Sequence, residues 1–182
     1  MIICTYATQS AGYYPVLVKQ CEKLKLKLVT IGMNKKWEGT SQKYTDMNEY
    51  IKSLPDNEIL LFTDGYDSIP VCNEETILKK YNKVKANKHI VYCVEFRKNM
   101  TYFSHIFTFG KCNDKFINSG TYIGRVKELK ILFNNFIKHI KNKKLSDQVA
   151  LTKFCNTNNK FFTDLVNLDI NNELFYNVEY NN

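Results

Sequence analysis

The chain of 182 residues lacks the features that mark several common protein classes. Its longest apolar runs are far too short to cross a bilayer, and residues 1–8 have neither a basic region nor an extended apolar region, so we expect no membrane span and no secretory signal. No Gly-x-Gly-x-x-Gly motif follows the first apolar segment and no Gly-Lys-Thr phosphate loop is present, which disfavours dinucleotide oxidoreductases and P-loop nucleotide hydrolases. Repeats, low-complexity tracts and flexible linkers are also missing, so the length predicts one domain over residues 1–182.

Cysteine occurs six times but never in a Cys-x-x-Cys pair, and no histidine stands nearby at zinc-finger spacing, which disfavours a structural zinc site. Cys4 and Cys93 lie within apolar, strand-like segments, where a free cysteine behaves as a small buried hydrophobic residue. A chain of this length can bury a sizeable core without disulfides. We therefore expect a reducing compartment.

The composition, with 44% hydrophobic and 14% aromatic residues, predicts a packed globule and excludes a disordered or fibrous chain. The formal charge of +8 comes mostly from lysines dispersed along the chain, apart from a cluster at residues 141–144. Such a charge can attract phosphates, nucleic acid or an acidic partner, but dispersed lysines usually form a solvated surface. We therefore expect no nucleic-acid partner, and a non-enzymatic basic binding module remains an alternative that rests on the charge alone.

Apolar runs with strand character alternate with segments of helical periodicity, a pattern typical of an α/β fold with a mostly parallel sheet covered on both faces. Pro15 suits a first helical turn, and Asn73 can cap the helix that follows it. The segment 96–114 is predicted to be an aromatic-rich loop. The predicted strands are 1–8, 26–31, 59–63 and 89–94, and the predicted helices are 15–26, 44–54, 74–85, 126–140 and 146–154.

The third predicted strand ends in two acids three residues apart, Asp64 and Asp67. Ligands of open α/β sheets bind beyond the carboxyl ends of strands, and a tight turn brings its first and fourth Cα atoms within about 7 Å. The two carboxylates could therefore share a Mg²⁺ or Mn²⁺ ion, whose shell is usually completed by water and substrate phosphates. The alternative is a solvated Asp-Gly turn, and a metal-dependent nuclease could also use paired aspartates.

Short segments over nearly the whole chain occur in an order that resembles one known family, the glycosyltransferase domain of the multifunctional procollagen lysyl hydroxylases. They are Thr5-Tyr6-Ala7-Thr8, Trp37-x-Gly39 with Lys43, Asp64-x-Tyr66-Asp67, Glu95, Asn118-Ser119-Gly120 with Ile123-Gly124, Asp147-Gln148, and Leu168-Asp169 with Leu174-Phe175.

This resemblance implies a GT-A-type, Rossmann-like fold with a mixed, mostly parallel sheet and helices on both faces. It implies Mn²⁺, with Mg²⁺ as an alternative, and a UDP-sugar donor. The reaction would be glucose transfer from UDP-glucose to galactosyl-hydroxylysine of collagen or a collagen-like protein. Similar domains occur in large DNA viruses, and for a viral chain we expect the host cytoplasm or a viral factory.

The resemblance also implies roles for individual residues. Asp64 and Asp67 resemble the metal ligands, and Asp64 also belongs to the donor site. Trp37 offers an aromatic face to a sugar, although a lone tryptophan is more often a core anchor. Asp147 would position the sugars or stabilise charge, and its alternative is a helix cap provided by Ser146 or Asp147. The remaining implied contacts are Tyr66 with uracil, Thr8 with the nucleotide, Lys43 with phosphate, Asn118 with the donor sugar, and Glu95 as an acid needed for activity, whose alternative is a surface pair with Arg97.

Two departures from the family pattern concern the metal and the acceptor. The family has a histidine as third metal ligand in a His-Gly-Asn segment, and this chain ends at Asn182 without one, so we expect either a chain that stops short of that segment or an incomplete metal site. His89, His105 and His139 precede that place and are interpreted as surface or packed residues. The segment 96–114 lacks the family's aromatic gate tryptophan, for which Tyr102, Phe103, Phe107 or Phe109 could substitute.

The donor sugar is not fixed by any residue that can be interpreted as glucose-specific. A related hexosyltransferase that uses UDP-galactose, acting on hydroxylysine or another acceptor, is therefore a second hypothesis.

Overall fold

A computed structural model describes residues 1–96, 99–140 and 144–178. In this part of the chain, helices and strands alternate as the apolar periodicity predicts. The strands are β1 (Ile2–Tyr6), β2 (Leu28–Ile31), β3 (Ile59–Asp64), β4 (Ile90–Glu95), β5 (Phe116–Arg125) and β6 (Val166–Leu168). The helices are α1 (Tyr14–Lys23), α2 (Gln42–Lys52), α3 (Glu74–Val84), α4 (Asn99–Phe109), α5 (Val126–Phe136), α6 (Asp147–Thr157) and α7 (Asn159–Leu165).

The six strands form one mixed, mostly parallel sheet in the order β2-β1-β3-β5-β4-β6. Strand β5 runs antiparallel to both of its neighbours, β3 and β4, whereas the pairs β1–β2, β1–β3 and β4–β6 are parallel. The start of β5 therefore lies beside the carboxyl ends of β3 and β4. The predicted fold class is confirmed.

Alternating side chains of the strands enter two apolar cores, one on each face of the sheet. Phe62 of β3 and Tyr92 of β4 point into the core under α2, α5, α6 and α7. Leu61 and Val91, their neighbours in sequence, point into the core under α1 and α3. This period of two is expected for strands that are covered on both faces.

Local signals place several helix starts as predicted. The side chain of Asn73 accepts a hydrogen bond from the amide of Thr76, and the hydroxyl of Ser146 accepts one from the amide of Val149. Asp169 follows β6 and is buried, and its carboxylate accepts hydrogen bonds from three successive amides, at residues 173–175. The motif of residues 168–175 therefore folds as a turn that holds Phe175 in the core.

Two secondary-structure predictions are wrong. The segment 96–114, predicted to be a loop, contains the eleven-residue helix α4. Its many aromatic residues hide the helical repeat in the sequence, which becomes evident only when the helix packs in the fold. The helix predicted over residues 126–140 ends at Phe136 and continues as a short 3₁₀ turn, Ile137–His139. Of the helices that the structure describes, none has the length and apolar character to cross a membrane.

A disulfide joins Cys112, just before β5, to Cys155 of α6, with the two Cα atoms 5.9 Å apart. The expectation of a core without disulfide support is therefore wrong for this pair, and the cysteine pattern gives no support for a reducing compartment. Cys4, Cys21, Cys72 and Cys93 are free. The two bonded residues are separated by 43 positions, so only the packing of α6 on the sheet brings them together.

Candidate functional site

The candidate site lies at the edge where β1, β3 and β4 end and β5 begins. Tyr6, the last residue of β1, is the register partner of Asp64, the last residue of β3. Thr63 pairs with Thr121 of β5, and Glu95 at the end of β4 pairs with Phe116 at the start of β5. Because β5 is antiparallel, residues from four strands converge on one edge of the sheet.

A cavity of about 160 Å³ opens beside the turn that follows β3. Both acids of this turn and the aromatic ring between them contribute to its wall, and the α2 side contributes the remainder. The lining residues are Tyr6, Trp37, Thr40, Lys43, Asp64, Gly65, Tyr66 and Asp67. Five residues predicted from the sequence to bind donor or metal therefore line one cavity.

Lys43 is the electrostatic centre of the site. Its Nζ lies 2.9 Å from Oδ1 and 3.2 Å from Oδ2 of Asp64, and 2.8 Å from Oδ2 of Asp147. The lysine is buried, so its ammonium links β3 to the first residue of α6. The sequence reasoning assigned Lys43 to a phosphate and missed both of these ion pairs, which join positions far apart in the chain.

The pKa values of the pair follow from burial and from an excess of negative charge. Burial by itself lowers the pKa of Lys43, but the carboxylates of Asp64 and Asp147 outweigh it and hold the lysine charged. The pKa of Asp64 is raised, first by burial and then by Asp147 and Asp67, against the opposing effect of Lys43. Two carboxylates pair with the ammonium and a third, that of Asp67, lies close enough to act on Asp64, so the excess of negative charge favours a further cation.

Two loop hydroxyl groups hold the start of α6 against the site. Thr40 Oγ1 accepts a hydrogen bond from the Asp147 amide at 3.1 Å, and Ser41 Oγ donates to the Leu145 carbonyl at 2.7 Å. Ser146 caps the helix, and Asp147 is buried in its first turn beside Lys43. The capping alternative is thus correct for Ser146, while the Asp147 carboxylate remains directed at the site.

Gly120 allows β5 to approach Asp64. A Cβ atom at this position would overlap Oδ2 of Asp64, so only a glycine leaves that carboxylate in place. The amide of Gly120 donates to Oδ1 of Asn118 at 2.7 Å, and Nδ2 of Asn118 donates to Oε1 of Glu95 at 2.8 Å. A chain of hydrogen bonds therefore runs from the Gly120 amide through Asn118 to Glu95 across the start of β5, and its Gly120 end lies against Asp64.

Glu95 is buried beneath α4 and contacts a histidine that the sequence reasoning did not select. Nε2 of His105 lies 2.9 Å from Oε2 of Glu95. The interpretation of Glu95 as a surface residue is therefore wrong, and its suggested partner Arg97 lies outside the described residues. The sequence interprets His105 as a surface or packed residue, because it precedes the place of the family's metal-binding histidine; the structure shows that it is packed against Glu95.

A second cavity, of about 120 Å³, adjoins Glu95. Tyr102 of α4 contributes to its wall, whereas Phe103 and Phe107 of the same helix are exposed and Phe109 packs on His105. Of the four aromatic residues proposed as substitutes for a gate tryptophan, Tyr102 is the one that lines this cavity.

Tyr66 and Thr8 are adjacent in the structure. The Tyr66 hydroxyl accepts hydrogen bonds from the Thr8 amide at 2.9 Å and the Gln9 amide at 3.3 Å. Burial acts to raise the pKa of Tyr66, but the hydrogen bond with the Thr8 hydroxyl and those from the two amides outweigh it, and the pKa is lowered. The hydroxyl thus ties the loop after β1 to the turn after β3, while 37% of the residue remains exposed.

Trp37 is not a core residue, because 49% of it is exposed. Its ring lies 5.9 Å from the ring of Tyr6 and lines the 160 Å³ cavity. The alternative of a core anchor is therefore wrong, and the indole lies at the wall of the cavity.

Asp64 and Asp67 are the residues that could hold a divalent cation at this site. Among residues 1–96, 99–140 and 144–178, no group of three or more histidine, cysteine or acidic side chains forms a ready metal site. Two carboxylates in a negatively charged pocket fit Mg²⁺ or Mn²⁺, because these ions need few protein ligands when phosphate oxygens complete the shell. The cavity next to these acids offers room for such phosphates.

Comparisons with known proteins show what this chain is similar to. The chain is 26% identical over 170 residues to an uncharacterized protein of Acanthamoeba polyphaga mimivirus. This alignment covers 86% of this chain and 34% of the mimivirus protein. It is 22% identical over 143 residues to the multifunctional procollagen lysine hydroxylase and glycosyltransferase of Caenorhabditis elegans, covering 71% of this chain and 19% of that protein. The chain thus spans about a third and about a fifth, respectively, of the length of these two curated relatives.

Among solved structures, the galactosyltransferase LgtC in complex with donor and acceptor sugar analogs has a TM-score of 0.55 at 13% identity, covering 92% of this chain and 73% of that one. This likeness shows the GT-A fold, in agreement with the mixed six-stranded sheet. A family model described as the PLOD GT domain matches residues 1–182, the whole of the sequence. The resemblance inferred from the ordered segments is confirmed, and the chain belongs to the PLOD GT domain family.

Proposed function

We propose that this chain is a metal-dependent hexosyltransferase that transfers glucose from UDP-glucose to galactosyl-hydroxylysine of collagen or a collagen-like protein. The observation that carries the proposal is the cavity beside β3, where Asp64, Asp67, Tyr66, Trp37 and Lys43 meet in a chain of the PLOD GT domain family. A solvated Asp-Gly turn does not explain a buried lysine and a lone exposed tryptophan at the same cavity.

The donor diphosphate is held at the turn after β3. Asp64 and Asp67 would hold a Mn²⁺ or Mg²⁺ ion, which would supply positive charge to neutralise the diphosphate and the departing UDP. Tyr66 presents its ring to uracil, and its hydroxyl keeps the Thr8 loop against the nucleotide. Lys43 holds Asp64 in position and carries a positive charge next to the diphosphate.

The donor sugar lies along the polar chain formed by Gly120, Asn118 and Glu95. Asn118 is fixed at both ends of its amide, since its oxygen accepts from Gly120 and its nitrogen donates to Glu95. A side chain locked in this way can orient sugar hydroxyls without loss of rotamer freedom. Asp147 is held by Lys43 and stabilises positive charge that develops on the sugar.

The acceptor assignment is supported by the C. elegans relative, whose name joins procollagen lysine hydroxylase and glycosyltransferase. The 120 Å³ cavity beside Glu95 adjoins the polar chain and offers space for an acceptor sugar. No residue of the site distinguishes glucose from galactose. The identity of the transferred hexose therefore has to come from the donor comparison described below.

The test measures UDP release and product formation with Mn²⁺, with UDP-glucose or UDP-galactose as donor and galactosyl-hydroxylysine or hydroxylysine peptides as acceptor. We expect turnover with UDP-glucose and the galactosylated peptide, and loss of manganese-dependent UDP binding in Asp64→Asn and Asp67→Asn. Asp164→Asn, on the exposed surface of α7, is the control and keeps both activities. A folded chain that releases UDP from neither donor contradicts the proposal, and preferred turnover of UDP-galactose on hydroxylysine replaces it with the galactosyltransferase hypothesis.

A further inference from the structure

We propose that His105 is a positioning residue that fixes the carboxylate of Glu95 for sugar transfer, an inference that rests on the function proposed above. Glu95 lies at the carboxyl end of β4, and His105 reaches it from α4. The two side chains are only 10% and 11% exposed, and Nε2 of the imidazole is 2.9 Å from Oε2 of the carboxylate. This distance and burial define a hydrogen-bonded pair shielded from water.

The imidazole is held in one orientation by aromatic contacts. Its centroid lies 4.5 Å from that of Phe109 on the same helix, at an interplanar angle of 49°. On the other side it lies 4.8 Å from the ring of Phe116, with the two planes at 87°. Phe116 is the residue of β5 that pairs with Glu95 in the sheet, so the same strand contact supports both partners.

The proton on Nε2 follows from the groups around it. Nε2 faces a carboxylate oxygen, which can only accept a hydrogen bond when ionised, so the imidazole nitrogen must be the donor. The amide nitrogen Nε2 of Gln148, in the first turn of α6, also lies 3.2 Å from Nε2 of His105. With Nε2 of His105 donating to Glu95, the proposal requires the Gln148 amide in the flipped orientation, with its oxygen toward the imidazole.

The consequence is that Glu95 has a fixed partner on each oxygen. Asn118 donates to Oε1 at 2.8 Å, and His105 donates to Oε2. Without the histidine, Oε2 loses this donor, and the carboxylate is less firmly held in line with Asn118 and Gly120. Because Gln148 follows Asp147, the same contact also links α4 to the helix that carries the other proposed catalytic acid.

The first test compares two substitutions of different chemistry. His105→Leu removes the donor, and we expect kcat to fall about 10- to 100-fold, the scale of a misplaced catalytic group, with the KM for the UDP-sugar unchanged. His105→Gln places an amide donor near the position of Nε2 and should restore most of kcat. His139→Leu is the matched control, since His139 also packs edge-on against a phenylalanine, Phe154, but does so away from the site.

The second test does not depend on activity. The test measures the nitrogen chemical shifts of the histidine side chains, and the signal of His105 is assigned by its loss in His105→Gln. This signal should show that Nε2 of His105 is protonated. Glu95→Gln should change the signal of His105 and leave those of His89 and His139 unaltered. The inference is overturned if Nε2 of His105 carries no proton. It is also overturned if the Leu and Gln variants both keep the wild-type melting temperature and lose kcat equally. If wild-type protein transfers no sugar, the proposed function fails, while the nitrogen shifts still decide the contact between His105 and Glu95.

Discussion

Lys43 Nζ lies 2.9 Å from the carboxylate of Asp64 and 2.8 Å from that of Asp147, so one buried ammonium joins β3 to the start of α6. Most of the site depends on this pair of contacts. Without it, two acids that belong to different elements would repel each other across the cavity.

Replacement of Lys43 by Met should destabilise the protein strongly. Breaking a fully buried ion pair costs about 3–5 kcal/mol, and the value should lie near the lower end here because 35% of the Asp64 side chain is exposed. Urea denaturation measures the change.

Lys35→Met is the matched control for the Lys43 substitution. Lys35 also pairs with an aspartate, Asp46, at 2.9 Å, but 54% of its side chain is exposed, so the loss should be at most about 1 kcal/mol. Equal losses in the two variants would contradict the central role of Lys43.

Gly120→Ala should weaken manganese-dependent UDP binding, because the new methyl group displaces the Asp64 carboxylate. Calorimetric titration of UDP with and without Mn²⁺ measures the effect. Gly124→Ala, on the same strand, is the control: its Cβ would lie 2.9 Å from Ile90 in the core, so it should lower stability and leave UDP affinity intact. A normal affinity in folded Gly120→Ala would show that Asp64 is not needed in its observed position.

Tyr66→Phe and Tyr66→Ala should separate the role of the hydroxyl group from that of the ring. The Phe variant loses the hydrogen bonds from Thr8 and Gln9, at a cost of about 1 kcal/mol in stability, but keeps the aromatic face. The Ala variant should in addition lose about tenfold or more in UDP affinity, since stacking on a base contributes about 1–3 kcal/mol. Equal UDP affinities in the two variants would exclude uracil stacking on this ring.

Reduction of the Cys112–Cys155 disulfide should lower the free energy of unfolding by up to about 4 kcal/mol, the chain-entropy value for a loop of 43 residues. Unfolding in urea with and without reductant measures this, and thiol titration of the denatured, unreduced protein should find the four remaining cysteines. Cys112→Ser should match the reduced protein and respond no further to reductant. If reductant lowers the stability of Cys112→Ser as well, its effect has another origin.

Stability should fall as the pH rises above about 10, the ordinary pKa of tyrosine. Burial raises the pKa of Tyr81 to about 12 and those of Tyr44, Tyr92 and Tyr122 further. The folded state therefore keeps protons that the unfolded state releases, and each such tyrosine lowers stability by about 1.4 kcal/mol per pH unit in that window.

Urea denaturation across this pH range measures the slope. Tyr92→Phe should reduce it by the contribution of one group, and Tyr176→Phe, at a side chain that is 79% exposed, is the control. Tyrosinate absorbance that rises before the fold is lost would contradict the expected slope.

The sequence by itself determined the α/β class and most helices and strands, and it predicted where the candidate site lies. Alternating apolar residues such as Leu61 and Phe62 define a strand covered on both faces, and Asp64 and Asp67 necessarily follow it within one turn. These are local consequences of periodicity and chain geometry. The family was determined by the order of the short segments from Thr5 to Phe175, since no single motif among them is specific enough.

Only the tertiary structure decided how the distant residues meet. Strand β5 runs antiparallel between β3 and β4, and this direction places Asn118 beside Glu95 and Gly120 beside Asp64. Helix α4, hidden from sequence reasoning by its aromatic composition, brings His105 to Glu95. The ion pairs of Lys43 and the Cys112–Cys155 bond likewise join positions far apart in the chain. Strand direction and helix packing are set by the total free energy of the two cores, which no short segment encodes.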